Sequence, residues 1–244
     1  MEPVSDIGIL LAALTATGLA GLMRGVTGFG GAIVMTPPLA YLIGPHEAVV
    51  TTLLLETFAA APMLPAAARL ASRRRLLPLC IGACATAPLG AWILVALDPA
   101  VTRQLIAVVV ATFSLLLLAG FRYLGEPRRA TSFAVGGLAG VLTASTSIGA
   151  PPAIIYLLSG PDPAPLSRAN LTLFVVVISG SSLIGLFFAG AFGPGQLLLP
   201  LVLAPSFALG VWCGGKLFPY VNERLFRRIA LTALFTMGLV LLLT

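Results

Sequence analysis

RGVTGFGGAIVMTPPLAYL (residues 24–42) sets an arginine, four glycines and two adjacent prolines among residues that are otherwise almost all apolar. The surroundings say what solvent this stretch meets. Apolar residues make up 59% of the 244 positions and charged residues 9%, against about 45–50% and about 25% in soluble domains, and the mean hydropathy is +1.07. The chain therefore reads as an integral membrane protein, and the interruption at 24–42 lies at membrane depth. Backbone that leaves the helix there strands amide and carbonyl groups unless protein or a water-filled cavity satisfies them. Such a break needs a compensating role, and the rest of the sequence indicates which.

Apolar runs lie at 7–22, 29–43, 47–66, 76–96, 104–121, 133–158, 169–191, 196–215 and 228–243, separated by short polar or Pro/Gly-rich breaks. They read as helices, because lipid tolerates no open sheet edge and barrel-type alternation is absent. Hardly any length remains for a soluble domain. The acidic flank of the first run and the further apolar segments after it suit a retained helix rather than a cleaved signal peptide.

Three loops carry most of the cations: 67–75 (Arg69, Arg73, Arg74, Arg75), 122–131 (Arg122, Arg128, Arg129) and 216–228 (Lys216, Arg224, Arg227, Arg228). The positive-inside rule places all three in the cytoplasm and accounts for the charge of +6 without an acidic partner such as nucleic acid. Alternation of loops then requires 133–158 to start and finish inside, and 7–43 to start and finish outside. The expected fold is an all-α polytopic membrane protein with two inverted-topology repeats, 1–121 and 132–244, joined by a cytoplasmic linker 122–131. Each repeat is a broken or re-entrant helical segment followed by three transmembrane helices. A direct echo supports the division: GLAGLMRGVTGFGG (18–31) aligns without a gap on GLAGVLTASTSIGA (137–150), pairing Gly21 with Gly140, Thr27 with Thr146 and Gly30 with Gly149.

A half-helix starting near Gly30 or Gly149 aims free N–H groups and a partial positive charge at whatever lies in front of it. Two such ends meeting near the midplane form an anion site that needs no base, metal or cofactor. The candidate ligands are Thr27, Gly28, Gly30, Gly31, Ser145, Thr146, Ser147, Gly149 and Asn170, with Arg24 and Arg168 as the cations nearest the two breaks. The competing reading makes the glycines packing positions and has the hydroxyls bond back to their own helices. Glu56 lies about nine residues into its helix, where an ionised carboxylate is costly. It is read as a polar core or coupling group, paired with an arginine or protonated, with Thr52 one turn earlier on the same face.

GFGGAIVMTP (28–37) resembles the glycine-rich stretch, closed by a proline, that opens each half of TauE/SafE transporters, the toluene sulfonate uptake permease family. Gly28, Gly30, Gly31 and Pro37 match, and Ala32 replaces the third glycine of the pattern. The second copy, SIGAPPAIIY with SRANLTLF downstream, matches at Ile148 and Gly149 and departs at Ser147, Ala150, Pro151 and Tyr156. The resemblance implies a secondary transporter that exports sulfite, sulfoacetate or a related sulfonate across the inner membrane by alternating access. The residues themselves support only a small anion, so a transporter or channel for another anion, such as a carboxylate, stays open.

A monovalent anion leaving a negative interior gains roughly 2.3 kcal/mol per 100 mV, so export needs no coupled ion. Enzymatic chemistry is not expected: one His, eight acidic residues and three scattered cysteines (Cys80, Cys84, Cys213) offer neither a nucleophile–base pair nor a metal set. The implied partners are a small anionic substrate and the lipid bilayer, with homo-oligomerisation left open.

Overall fold

The computed structural model describes residues 7–121, 123, 128–158, 163–217, 220, 231, 232, 235, 236 and 238. No strand occurs among them. The chain forms α1 (Ile7–Thr27), α2 (Gly31–Leu42), α3 (Pro45–Ala60), a 3-10 turn (Ala61–Met63), α4 (Leu64–Leu70), α5 (Arg73–Ala96), α6 (Pro99–Leu118), α7 (Arg129–Thr146), α8 (Ala150–Leu158), α9 (Ala164–Phe188), a second 3-10 turn (Pro194–Leu197) and α10 (Leu198–Leu217).

Six stretches among the described residues are long and apolar enough to cross a bilayer: Ile7–Thr27, Pro45–Leu70, Arg73–Ala96, Pro99–Leu118, Ala169–Phe188 and Pro194–Leu217. Large apolar side chains such as Trp92, Ile184, Phe188 and Leu201 point outward, as they do where the solvent is lipid.

Several boundaries differ from those read in the sequence. Helix α1 continues past residue 22 to Thr27, which puts Arg24 in its last turn. The run at 47–66 bends at Ala61–Met63, where Pro62 and Pro65 withdraw backbone donors, and then continues to Leu70. Arg73, Arg74 and Arg75, read as loop, form the first turn of α5. Helix α7 begins at Arg129, inside the segment read as the linker 122–131. The apolar run at 228–243 lies almost wholly outside the described residues.

The broken segments are not pairs of equal half-helices. In each, a long helix is followed by a short return helix: α1 of 21 residues by α2 of 12, and α7 of 18 by α8 of 9. The breaks recur at one spacing. Helices α1 and α7 end, α2 and α8 begin, and α3 and α9 begin at positions 119 residues apart (Thr27 and Thr146, Gly31 and Ala150, Pro45 and Ala164).

Packing joins the halves crosswise, α1 against α10 and α5 against α7. Both seams are made of small residues. A Cβ at Gly21 would run into the Phe207 carbonyl, one at Gly214 into that of Leu22, and one at Gly140 into that of Ala83. With no hydrophobic force between helices in lipid, such close backbone contact, reinforced by interhelical hydrogen bonds, holds the bundle. Each seam includes such a bond: Ser206 Oγ donates to the Leu14 carbonyl (2.7 Å) and Thr86 Oγ1 to the Gly137 carbonyl (2.7 Å). Between the seams, α3 packs on α9 and carries the breaks toward one another.

Candidate functional site

The two breaks share one pattern of turn and cap, although Gly30 takes a positive φ and its counterpart Gly149 does not. At the first, the Gly28 amide donates to the Arg24 carbonyl (2.7 Å); at the second, the Ser147 amide donates to the Thr143 carbonyl (2.8 Å). Gly28 (φ 80) and Ser147 (φ 60) both turn into the left-handed region. Ser147 is the only non-glycine with positive φ among the described residues, a conformation that costs an L-residue roughly 1–2 kcal/mol. Before each turn a threonine hydroxyl closes the helix. Thr27 Oγ1 donates to the Met23 carbonyl (2.8 Å) and accepts from the Phe29 amide (3.4 Å); Thr146 Oγ1 donates to the Leu142 carbonyl (2.7 Å) and accepts from the Ile148 amide (3.3 Å).

Beyond the turns, α2 and α8 open onto a single space. A cavity of about 40 Å³ is lined from the first break by Arg24, Gly28, Phe29, Gly30 and Ala32, and from the second by Thr143, Ser147, Ile148, Ala150 and Pro151. Helices α3 and α9 complete the wall with Leu53, Glu56, Thr172, Val175 and Ser179. The lining keeps the 119-residue spacing: Arg24 corresponds to Thr143, Gly28 to Ser147, Phe29 to Ile148, Leu53 to Thr172 and Glu56 to Val175. The halves also touch directly, since the Ser147 and Thr36 hydroxyls lie 2.6 Å apart and Thr36 donates in turn to Thr52 (3.3 Å).

The electrostatics are asymmetric. Arg24 and Glu56 form a buried ion pair inside the cavity, and they are its only charged side chains among the described residues. Both come from the first half, and their counterparts are a hydroxyl and an alkyl group. The other carboxylate oxygen, Oε1, lies against Gly31 and has no hydrogen-bond partner among the described residues.

The donors are asymmetric too. The first turn of α2 offers the amides of Gly31, Ala32 and Ile33, which no residue of the same helix can accept. In α8 the residues after Ala150 are Pro151 and Pro152, which have no N–H. The expected pair of equivalent amide clusters is therefore one full cluster, at α2, facing a depleted one.

Of the residues singled out in the sequence, Arg24, Gly28, Gly30, Ser147 and Glu56 share this cavity. Thr27 lines a second, larger one of about 190 Å³, bounded also by Gly25, Met63 and Gly215, which shares Gly28, Phe29, Leu171 and Thr172 with the first. Ser145 and Thr146 bond back to the carbonyls of Val141 (2.8 Å) and Leu142 (2.7 Å) and line neither space. Gly31 faces Glu56 and Phe207, and Gly149 is wedged against Thr143 and the Ala139 carbonyl, so both act in packing. Thr52 joins through the hydroxyl chain only. Asn170 Oδ1 accepts the Ser72 amide (2.8 Å) and ties α9 to the turn before α5. The side chain of Arg168 lies outside the described residues.

Sequence reasoning passed over Thr143, Thr172, Ser179 and Thr36. Thr143 was within reach, as the aligned counterpart of Arg24. The others are hydroxyl residues in apolar stretches of sequence, with no pattern to separate them from packing residues.

Comparison with known sequences adds one finding. The family profile described as sulfite exporter TauE/SafE matches residues 13–241. Neither curated proteins nor solved structures give a significant match. A profile that covers nearly the whole chain, on a bundle with six apolar helices of spanning length, identifies a multi-pass membrane protein of a transporter family: the chain belongs to the sulfite exporter TauE/SafE family.

Proposed function

We propose that this chain exports a small sulfur oxyanion, sulfite or a small sulfonate, across the inner membrane, with the anion bound between the two helix breaks. The observation that carries the reading is the convergence of both breaks on one cavity containing Arg24. Arg24 supplies the charge, the α2 amides of Ala32 and Ile33 supply donors to a second oxygen, and Ser147, Thr172 and Ser179 supply hydroxyls for a third. A pyramidal trioxyanion presents three acceptors on one face and suits a ring of such donors.

Size supports the same class. At about 10–15 Å³ of such space per water-sized group, the cavity holds about three or four such groups, close to the four heavy atoms of sulfite. A sulfoacetate needs the space to widen.

Depth follows from the return helices if the halves are inverted, as their loop charges suggest. At 1.5 Å per residue, α2 reaches about 18 Å from the outer face and α8 about 13 Å from the inner face, and together they span the roughly 30 Å of hydrocarbon. The breaks then meet near the midplane, while α1 and α7 take up their extra length by tilting and by extending beyond the core. The second cavity, bounded by Met63 and Gly215 beside the basic segments, is the inner vestibule, and Phe29 stands between it and the site. Alternating access amounts to rocking of the break-bearing elements around this fixed point.

Counterflow in liposomes containing the purified chain tests the reading. Preloaded sulfite is expected to exchange with external sulfite and methanesulfonate and to be little affected by acetate or succinate. Faster exchange of the carboxylates reassigns the substrate class. Single-channel currents far above carrier turnover replace the carrier by a channel.

A further inference from the structure

The Arg24–Glu56 pair is not needed to close the packing around a break, because the second break closes with Thr143 and Val175 at the same positions. Nor is a buried ion pair an efficient stabiliser, since desolvation offsets much of the attraction. What the pair does provide is a tethered carboxylate already resting on the cation that an incoming anion requires. Both side chains are almost sealed from solvent, 7% and 5% exposed.

We propose that Glu56 and the transported anion compete for Arg24, and that Glu56 takes up a proton when displaced, so that one proton moves with each anion. The inference rests on the reading of this cavity as the anion site and adds its coupling. Two negative charges beside one guanidinium leave an uncompensated charge in an apolar enclosure, and a nearby like charge favours the neutral carboxylic acid. In the loaded state the anion pairs with the guanidinium and Glu56 is COOH, its proton drawn from the side the anion entered. On release the proton leaves with the anion and the carboxylate returns to Arg24. The empty site is thus closed by an internal substitute, and Arg24 never stands unpaired. Oε1, which has no hydrogen-bond partner among the described residues, is the oxygen that takes the proton.

No other ionisable group among the described residues lines this space. On α3 itself, His46 and Glu47 lie about 14–15 Å up the helix at 1.5 Å per residue. Tyr41 of α2, Arg103 of α6 and Arg129 of α7 lie outside the lining. Tyr156 of α8 is bonded to Ser132 (2.7 Å), and Lys216 of α10 lies over the Trp212 ring (3.9 Å). Arg168 of α9 has no described side chain.

The mechanism differs from uncoupled anion export in being electroneutral, and that difference can be measured. Liposomes carrying the full chain are loaded with methanesulfonate, which stays singly charged throughout pH 5.5–8.5, and with a lumenal pH dye. Efflux is expected to raise lumenal pH by one proton per anion and to be unchanged when valinomycin and potassium clamp the potential. Apparent affinity falls as pH rises, by up to tenfold per pH unit, the limit for one linked proton.

In Glu56→Gln the affinity is expected to vary less than twofold over that range and proton movement to vanish, while Glu56→Asp retains both. Efflux that generates a potential without changing lumenal pH overturns the coupling and leaves the anion site standing. Normal proton movement in Glu56→Gln overturns it equally. Should Glu56→Gln not fold, the proton count in the unmodified protein decides alone. If neither methanesulfonate nor sulfite moves, the transport reading falls and the coupling falls with it.

Discussion

Arg24 and Thr143 stand at equivalent places in the two breaks, yet only one carries charge, and this difference allows stability and function to be separated. Removing one member of a buried ion pair leaves the other uncompensated, at about 3–5 kcal/mol. Arg24→Thr is therefore expected to lower the melting temperature in detergent sharply and to abolish sulfite binding. The double variant Arg24→Thr, Glu56→Val copies the second half, so no charge is stranded. Replacing buried pairs with packed uncharged groups is often neutral, so the double variant should melt within a few degrees of the unmodified protein while still failing to bind sulfite. A double variant that melts as early as the single one contradicts this assignment. At this scale the sequence was informative wherever a residue type clashed with its solvent: Glu56 nine residues into an apolar helix could be noticed, and so could Arg24 near a glycine run. Thr172 and Ser179 raised no such conflict, since a hydroxyl in a transmembrane helix can always bond back to its own carbonyls.

At the scale of elements, the break is a unit of turn, cap and return helix, and its parts do different jobs. Thr27 and Thr146 were candidate ligands by type and position. Their hydroxyls instead hold the ends of α1 and α7 and receive the next amides but one. Thr27→Val and Thr146→Val keep the shape and remove the cap, leaving polar backbone less well satisfied in the interior, a loss of about 1–3 kcal/mol each. Thermal unfolding should register that loss, with sulfite affinity changed less than twofold; a tenfold loss of affinity without destabilisation would make the threonines ligands after all.

The prolines of α8 lead to a second expectation. Pro151→Ala adds an N–H at the depleted end, and equilibrium binding should show sulfite held more tightly, by about the 0.5–1.5 kcal/mol typical of one net hydrogen bond. The glycine spacing announced both breaks and their mutual resemblance. Which hydroxyls turn inward depends on helix rotation, which an almost uniformly apolar sequence does not encode, because no amphipathic pattern marks the buried face.

For the whole molecule, the feature that makes two unlike sequences into one site is the crosswise packing of α1 on α10 and α5 on α7, with α3 against α9 between them. Helix type and the position of the breaks were legible from hydropathy and from Gly and Pro. The pairing of the seams was not, because glycines spaced for close packing specify a partner only once the partner's own glycines are brought opposite, as Gly21 and Gly210 are. The orientation of the halves is a separate question, and their equivalent loops can answer it. Position 44, between α2 and α3, and position 163, between α8 and α9, are 119 residues apart and lie before corresponding helices. Parallel halves put both on one side of the membrane; inverted halves put them on opposite sides. In a background lacking Cys80, Cys84 and Cys213, a cysteine at 44 should react with an impermeant maleimide added outside intact cells. One at 163 should react only after the membrane is opened, together with one at 72 in the basic segment. Nothing lies within 4 Å of a Cβ at Gly44, and its backbone (φ 89, ψ 153) falls in a region almost confined to glycine, so Gly44→Cys carries roughly 1–3 kcal/mol of strain. Labelling of both positions from the same side would mean that the two return helices enter from the same face, and an anion held between their opposed ends near the midplane would then have no structural basis.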